Sequence, residues 1–311
     1  MDKLHHSQNE NKPLVSILII TYNSAKYVLE TLESAKAQTY QNIELIITDD
    51  GSKDDTVEIC RRWINEHSSR FIKSEVITVA TNTGIPSNCN RGVLAAGGTW
   101  LKLIAGDDIL DNQCVDILLN SAVKSDKKLF FANMNNFSET EVSKNEIDPA
   151  IYKFFEMNIE SKLKQYSRHA YFLNSPTIFV HRETLNLLGL FNEKYKYLED
   201  LPLIINFLKN KKDIGFVNES VVLRRVHNES ISSQATSINE FRKEFLLNLY
   251  TVYLDLQRPN FKWYNIKDLY YRIMGDMNFS MYRKPHFLIV FIHSIIVKLV
   301  KIKHLLLKFL H

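Results

Sequence analysis

Three short apolar runs in the first third of the chain each break off in a small polar cluster. Residues 15–20 run into Thr21-Tyr22-Asn23, residues 43–47 into Thr48-Asp49-Asp50-Gly51-Ser52, and residues 100–104 into Ala105-Gly106-Asp107-Asp108. Runs this short, rich in Ile, Leu and Val, predict strands buried on both faces, as in a parallel sheet. Open α/β sheets bind ligands outside the carboxyl ends of such strands, so the three clusters are expected along one sheet edge.

Helical spacing fills the gaps between these strands. Residues 24–39 place Val28, Leu32 and Ala35 on one face, with Asn23 or Ser24 as the expected cap. Residues 54–65 do the same with Val57, Cys60 and Ile64, and residues 86–96 carry Pro86 in the first turn and stop at Gly97-Gly98. A short strand is predicted at 75–79 and a further helix at 109–124. The alternation predicts an α/β fold, a mostly parallel central sheet flanked by helices. Beyond residue 130 the pattern loosens. It predicts strands at 130–136, 178–180, 214–217 and 221–226, helices at 182–188 and 201–209, and a polar loop over 139–152. A polar stretch at 230–237 marks the expected boundary between a domain spanning 1–232 and a helical extension over 233–311, with one helix at 238–256.

Composition changes this picture little, except at the two ends. The 311 residues are 45% hydrophobic and 24% charged, ordinary for a globular protein, and the net charge of +4 implies no nucleic-acid partner. Cys60, Cys89 and Cys114 form neither a zinc spacing nor a disulfide framework, and are expected as buried free thiols. The first twelve residues are polar and lack the apolar core of a signal peptide, which with the cysteines points to the cytoplasm. Residues 277–311 contain six Lys or Arg and no acidic residue. On a helix, Ser294, Lys298, Lys301, His304 and Lys308 share one side opposite Ile295, Ile296, Leu299, Val300, Ile302, Leu306 and Leu310, with Lys303 among the apolar residues. Such a helix suits the interface of an anionic membrane, on the inner face of the cell membrane. The competing reading is a helix packed on the protein's own core.

Four groups carry candidate chemistry. Asp49-Asp50, with Thr21-Tyr22-Asn23, would suit a nucleotide base, although in isolation Asp-Asp-Gly is an ordinary acidic turn. Asp107-Asp108 are adjacent carboxylates that repel unless a cation offsets them, and Mg²⁺ or Mn²⁺ is often held by one or two carboxylates together with substrate phosphates. Glu199-Asp200 open a helix and could supply a general base. Arg224, Arg225 and His227 end a strand and could meet phosphate or metal.

In combination these segments resemble the family 2 glycosyltransferases of the GT-A fold. The resemblance runs through residues 15–23, through QTYQNIELIITDDGSKDDT at 38–56, through NTGIPSNCNRGVLAAGGTWLKLIAGDD at 82–108, and through three later blocks, Leu190–Glu193, Leu198-Glu199-Asp200 and 221–232. It covers about residues 14–232 and leaves out the tail. It implies an inverting transfer from a nucleotide-sugar donor, with uridine as the expected nucleoside, to a hydroxyl of a glycan or lipid-linked acceptor in surface polysaccharide synthesis. It also implies roles for single residues. Thr21, Tyr22, Asn23 and one of Asp49 and Asp50 would hold the base. Asp107 and Asp108 would hold the ribose and a divalent cation (Mn²⁺ or Mg²⁺). Asp200 would be the base, oriented with the acceptor by Glu199, and Arg225 and His227 would meet the diphosphate or the metal. Two positions depart from the family pattern. Ala105 stands where the acidic motif usually opens with Asp, and Cys89 stands where Arg is usual, with Arg91 two positions on. A nucleotidyltransferase would want a Gly-rich loop after the first strand, which Thr21–Ser24 is not. A non-catalytic binding protein would have no need of Asp200.

Overall fold

The computed structural model describes residues 12–138, 141–168, 173–227 and 230. The expected extension, its helix at 238–256 and its basic tail lie outside these residues. The chain divides into two compact units, Met1–Phe261 and Lys262–His311, and the architecture below is that of the first.

The first half alternates as the apolar pattern requires. Strand β1 (Val15–Thr21) leads through α1 (Val28–Lys36) to β2 (Ile43–Asp49), then through α2 (Thr56–His67) to β3 (Ser74–Thr78) and through α3 (Ile85–Ala95) to β4 (Trp100–Ala105). β1 pairs in parallel with β2 and with β4, and β2 with β3. Every residue of β2 is buried, and all of β1 except Ile20, which is what a strand covered on both faces demands. Val28, Leu32 and Ala35 of α1 are fully buried against this sheet.

The second half adds β5 (Ile109–Leu110), α4 (Cys114–Val123), β6 (Leu129–Phe137), β7 (Val142–Ser143), α5 (Pro149–Glu156), α6 (Ile159–Arg168), β8 (Phe179–His181), α7 (Arg182–Leu187), α8 (Asp200–Lys209) and β9 (Gly215–Arg225). The sheet order is β3-β2-β1-β4-β8-β6-β9-β5, with β7 on β6. β8 runs antiparallel between β4 and β6, with Phe179 opposite Lys102 and Phe130, so the chain enters β8 from the side toward which β4 and β6 run.

Four expectations are corrected. The helix placed at 24–39 begins only at Val28, because Asn23 takes a left-handed φ of 51° and the Ser24 carbonyl closes a turn onto the N–H groups of Tyr27 and Val28. Ile109-Leu110, read as helix, is a strand antiparallel to β9, and Asp111 turns the chain by accepting from the N–H of Gln113 before α4 starts. The polar loop at 139–152 gives way at Pro149 to α5, capped by Asp148, whose side chain accepts from Ala150 N at 2.8 Å. The two strands at 214–217 and 221–226 are one strand, whose register against β6 shifts around Asn133. Aromatics of the 139–171 stretch serve packing. Phe154 and Tyr166 are buried together, Phe155 stacks on Phe216, and Tyr152 donates to Asn218. Tyr171 and Phe172 lie outside the described residues. All three cysteines are buried and free, and burial pushes Cys60 and Cys114 up to about 12.

Among the described residues no helix is long and apolar enough to cross a membrane.

Candidate active site

The strand ends meet as expected, around a cleft of about 880 Å³. Its wall takes Thr21, Tyr22 and Asn23 from the end of β1, Asp50 from beyond β2, Asp107 and Asp108 from beyond β4, Glu199 and Asp200 from the start of α8, and Arg224, Arg225 and His227 from the end of β9. Asp49 is the one nominated residue outside that wall.

The two acids after β2 have separate tasks. Asp49 is buried and folds the turn. Its carboxylate accepts from the N–H groups of Gly51 (3.1 Å) and Ser52 (2.9 Å), from Thr21 Oγ1 (2.9 Å) and from the Ser52 hydroxyl. Asp50 faces the cleft and is held by Thr83 N (3.0 Å), Thr83 Oγ1 (2.7 Å), Gly84 N (2.8 Å) and Arg91 Nη2 (2.5 Å). Arg91 therefore reaches Asp50 from its shifted position. Asn88, one helical turn before it, donates to the carbonyls of Thr21 and Thr48 and ties the ends of β1 and β2 together. Asn23 joins the same turn, donating from its N–H to Ser52 Oγ and accepting from Lys53 N. Tyr22 is exposed at the rim.

The acidic pair is built from β4 and β9 together. Asp108 is buried, and its Oδ1 accepts from Arg225 N at 2.9 Å. Burial, and then the neighbouring Asp107, raise its pKa to about 8, while the Arg225 N–H and the charges of Arg224 and Lys102 act in the opposite direction. Asp107 Oδ2 stands 3.0 Å from His227 Nε2. The imidazole lies at a tilt on Tyr27, and its Nδ1 is buried with no hydrogen-bond partner among the described residues. Two carboxylates and an imidazole are a donor set that fits a divalent cation, with the rest of its shell left to phosphate and water. Among the described residues no group of three or more His, Cys, Asp or Glu side chains is placed to hold a metal ion as it stands, these three included.

Glu199 and Asp200 begin α8 on the cleft wall. Burial, and then Glu199, push Asp200 up to about 7, and burial also raises Glu199, whose carboxylate accepts from the Ser175 hydroxyl. Residues 190–193 are locked to α3 by Asn90, which donates to Phe191 O and Glu193 and accepts from Phe191 N.

Several wall residues carry no signal in the sequence. Lys196 and Tyr197 precede Glu199, while Asn145, Asn174 and Ser175 come from loops beyond β7 and before β8. Asn174 and Ser175 come to the cleft because they lead into the antiparallel β8, and Asn145 because Asn133, Asn135 and Asn136 of β6 hold its loop, pairings that local pattern does not reveal.

The family model for Glycosyl transferase family 2 matches residues 16–185. A Rickettsia typhi protein described as an uncharacterised glycosyltransferase is 28% identical over 253 residues, covering 76% of this chain and 70% of its own length. The Staphylococcus aureus TarS 1–349 structure in complex with UDP-GlcNAc superposes with a TM-score of 0.56 at 15% identity, over 85% of this chain and 80% of that one. The Pyrobaculum calidifontis mannosyltransferase PcManGT in complex with GDP-Man and Mn²⁺ gives 0.59 at 14% identity, over 87% and 71%. At such identities the structural likenesses speak for the fold alone.

Proposed function

This chain belongs to the family 2 glycosyltransferases, and from that premise we propose that it transfers a sugar, with inversion, from a nucleotide-sugar donor to a hydroxyl of a glycan or lipid-linked acceptor in cell-surface polysaccharide synthesis. The observation that carries this reading is the single cleft lined by Asp50, Asp107, Asp108 and Asp200, which offers a base site, an acidic pair and a carboxylate of raised pKa to one bound molecule.

In this reading Thr21, Tyr22, Asn23 and Asp50 hold the nucleoside, with UDP as the expected diphosphate. Asp49 acts beneath them by holding the turn. Asp107, Asp108 and His227 hold a divalent cation, Mn²⁺ or Mg²⁺. When bound, that cation supplies positive charge against the diphosphate. Asp200 takes the proton of the acceptor hydroxyl. The hydroxyl oxygen bonds to the anomeric carbon as the bond from that carbon to the diphosphate oxygen breaks, and the nucleoside diphosphate leaves with the electron pair. Attack from the face opposite the leaving group inverts the anomeric centre. A base of pKa about 7 suits this step, being both ionised and basic near neutral pH. Glu199, fixed by Ser175, orients Asp200 and the acceptor. Residues 1–232 form the catalytic domain, and the basic amphipathic helix in 233–311 keeps it at the anionic inner face of the membrane, near a lipid-linked acceptor.

The test is release of UDP from a panel of UDP-sugars, with and without Mn²⁺, comparing the native protein with Asp200→Asn and Asp107→Asn. Cation-dependent turnover of one donor, reduced about 10²-fold or more in Asp200→Asn, is expected. Silence with UDP-, GDP- and dTDP-sugars in the presence of a lipid-linked acceptor overturns the reading in favour of a non-catalytic binding protein.

A further inference from the structure

The two arginines at the end of β9 are in opposite situations. Arg225 is buried, and its guanidinium lies between the rings of Tyr27 (4.5 Å) and Phe137 (4.4 Å). Its Nε donates to Asp107 O at 3.0 Å, and its Nη2 stands 2.9 Å from Glu30 as an ion pair off the hydrogen-bonding angle. Protein groups thus surround it on all these sides. Arg224 also lines the cleft and is half-buried, and its Nε is shut off from solvent with no hydrogen-bond partner. Among the described residues it makes no hydrogen bond, ion pair or ring contact. Its charge acts on Asp108, lowering that acid's pKa, but neither acid of the pair reaches it as a partner. Asp108 is taken up by Arg225 N, and Asp107 by His227.

A guanidinium nitrogen withdrawn from water without a partner is costly, and the Nε of Arg224 is in that position while its two terminal nitrogens are not among the buried, unpartnered atoms and can reach a ligand in the cleft. The planar fork of Arg matches the oxygens of a phosphate, which it grips through two parallel N–H bonds. We propose that Arg224 is the anion-binding residue of this cleft and takes a phosphate oxyanion, while Arg225 is a positioning residue that fixes the acidic pair. The proposal rests on the nucleotide-sugar reading above, and departs from the sequence expectation, which gave the diphosphate to Arg225. The phosphate comes from the donor's diphosphate or from a phosphate carried by the acceptor. The competing structural role is a pair with Asn136, the register neighbour of Arg224 on β6, whose buried Oδ1 also lacks a partner.

The experiment titrates uridine, UDP, guanosine, GDP and inorganic pyrophosphate into the full-length native protein, Arg224→Gln and Arg224→Lys, and records Tm for each. For the donor source, Arg224→Gln weakens UDP or GDP, and pyrophosphate, tenfold or more, as loss of a charge-assisted bond requires, with nucleoside affinity and Tm unchanged. Arg224→Lys recovers part of the loss. For the acceptor source, those affinities hold, and KM rises tenfold or more for an acceptor bearing a phosphate but not for its phosphate-free analogue. A fall in Tm with all affinities lowered alike establishes the Asn136 pair and overturns the proposal, as does a variant unchanged in every titration and in KM. If the native protein binds pyrophosphate through Arg224 but no nucleoside, the nucleotide-sugar reading fails while the anion site stands.

Discussion

The main-chain N–H of Arg225 donates to Oδ1 of Asp108 at 2.9 Å, so the last residue of β9 fixes the second acid of a pair that belongs to the end of β4. The Arg225 side chain secures that bond by gripping Tyr27 and Phe137 and by reaching the carbonyl of Asp107. Two cation–π contacts, partly desolvated, contribute about 1–3 kcal/mol together. Arg225→Ala is therefore expected to lose about 2 kcal/mol in chemical denaturation and to raise the cation concentration needed for half-maximal turnover. Arg224→Ala, which removes no side-chain hydrogen bond, ion pair or ring contact among the described residues, should leave the denaturation midpoint close to the native one. Equal midpoints for the two variants would refute this division of labour.

Adjacent arginines on a strand point to opposite faces, so the sequence Arg224-Arg225 offers no way of knowing which is stacked and which is free. That depends on α1 lying beside the end of β9, a contact between residues nearly two hundred positions apart. The same limit applies to Asp49 and Asp50. By contrast, β1, β2 and β4 were legible because burial on both faces leaves continuous apolar runs, and the clusters after them had to share an edge. The two-residue strand β5 was not, because its partner β9, rather than its own residues, makes it a strand.

Glu199 sits beside Asp200 and, after burial, is the larger cause of its raised pKa. A general base must be ionised, so transfer at saturating cation should rise with pH through about 7. Glu199→Gln removes the neighbouring charge while keeping an acceptor for Ser175, and so should move that rising limb to lower pH. The stability sign is the reverse. With a folded pKa above the ordinary 3.8, protonated Asp200 contributes stability that is full below about 4 and lost as pH rises through about 7. Paired pH profiles of kcat/KM for the native protein and Glu199→Gln check the first claim, and an unmoved limb would sink it.

Asp49 accepts from two main-chain N–H groups and three hydroxyls, those of Thr21, Ser52 and Thr78, in a buried turn, a structural task. Asp49→Ala leaves those donors without a partner, at about 1–3 kcal/mol for each that water cannot reach. The expected result is a fall of about 3 kcal/mol in unfolding free energy. Asp50→Ala is expected to weaken nucleoside binding instead. Should Asp49→Ala unfold at the native denaturant midpoint and fail to bind uridine, Asp49 rather than Asp50 contacts the base.

Gly106 occupies the acidic motif between Ala105 and Asp107, and its place is dictated by Thr21. A Cβ on Gly106 would stand 2.7 Å from Thr21 Cγ2 and 3.1 Å from Ser24 Oγ, closer than packed carbon atoms approach. The Gly106 N–H is meanwhile held to the carbonyl of Ile20 at 2.9 Å, so the backbone cannot back away without breaking the link between β4 and β1. Gly106→Ala must therefore push Thr21, whose hydroxyl serves Asp49, and overpacking of this kind costs about 1–3 kcal/mol. Nucleoside affinity should fall with stability, since both depend on the same turn. Thr21→Ser removes the clashing methyl and keeps the hydroxyl, so the double variant Gly106→Ala/Thr21→Ser should regain most of the loss in both Tm and uridine affinity. A double variant no better than Gly106→Ala alone would mean that the strain falls on Ser24 or on the backbone of the acidic motif, and not on Thr21.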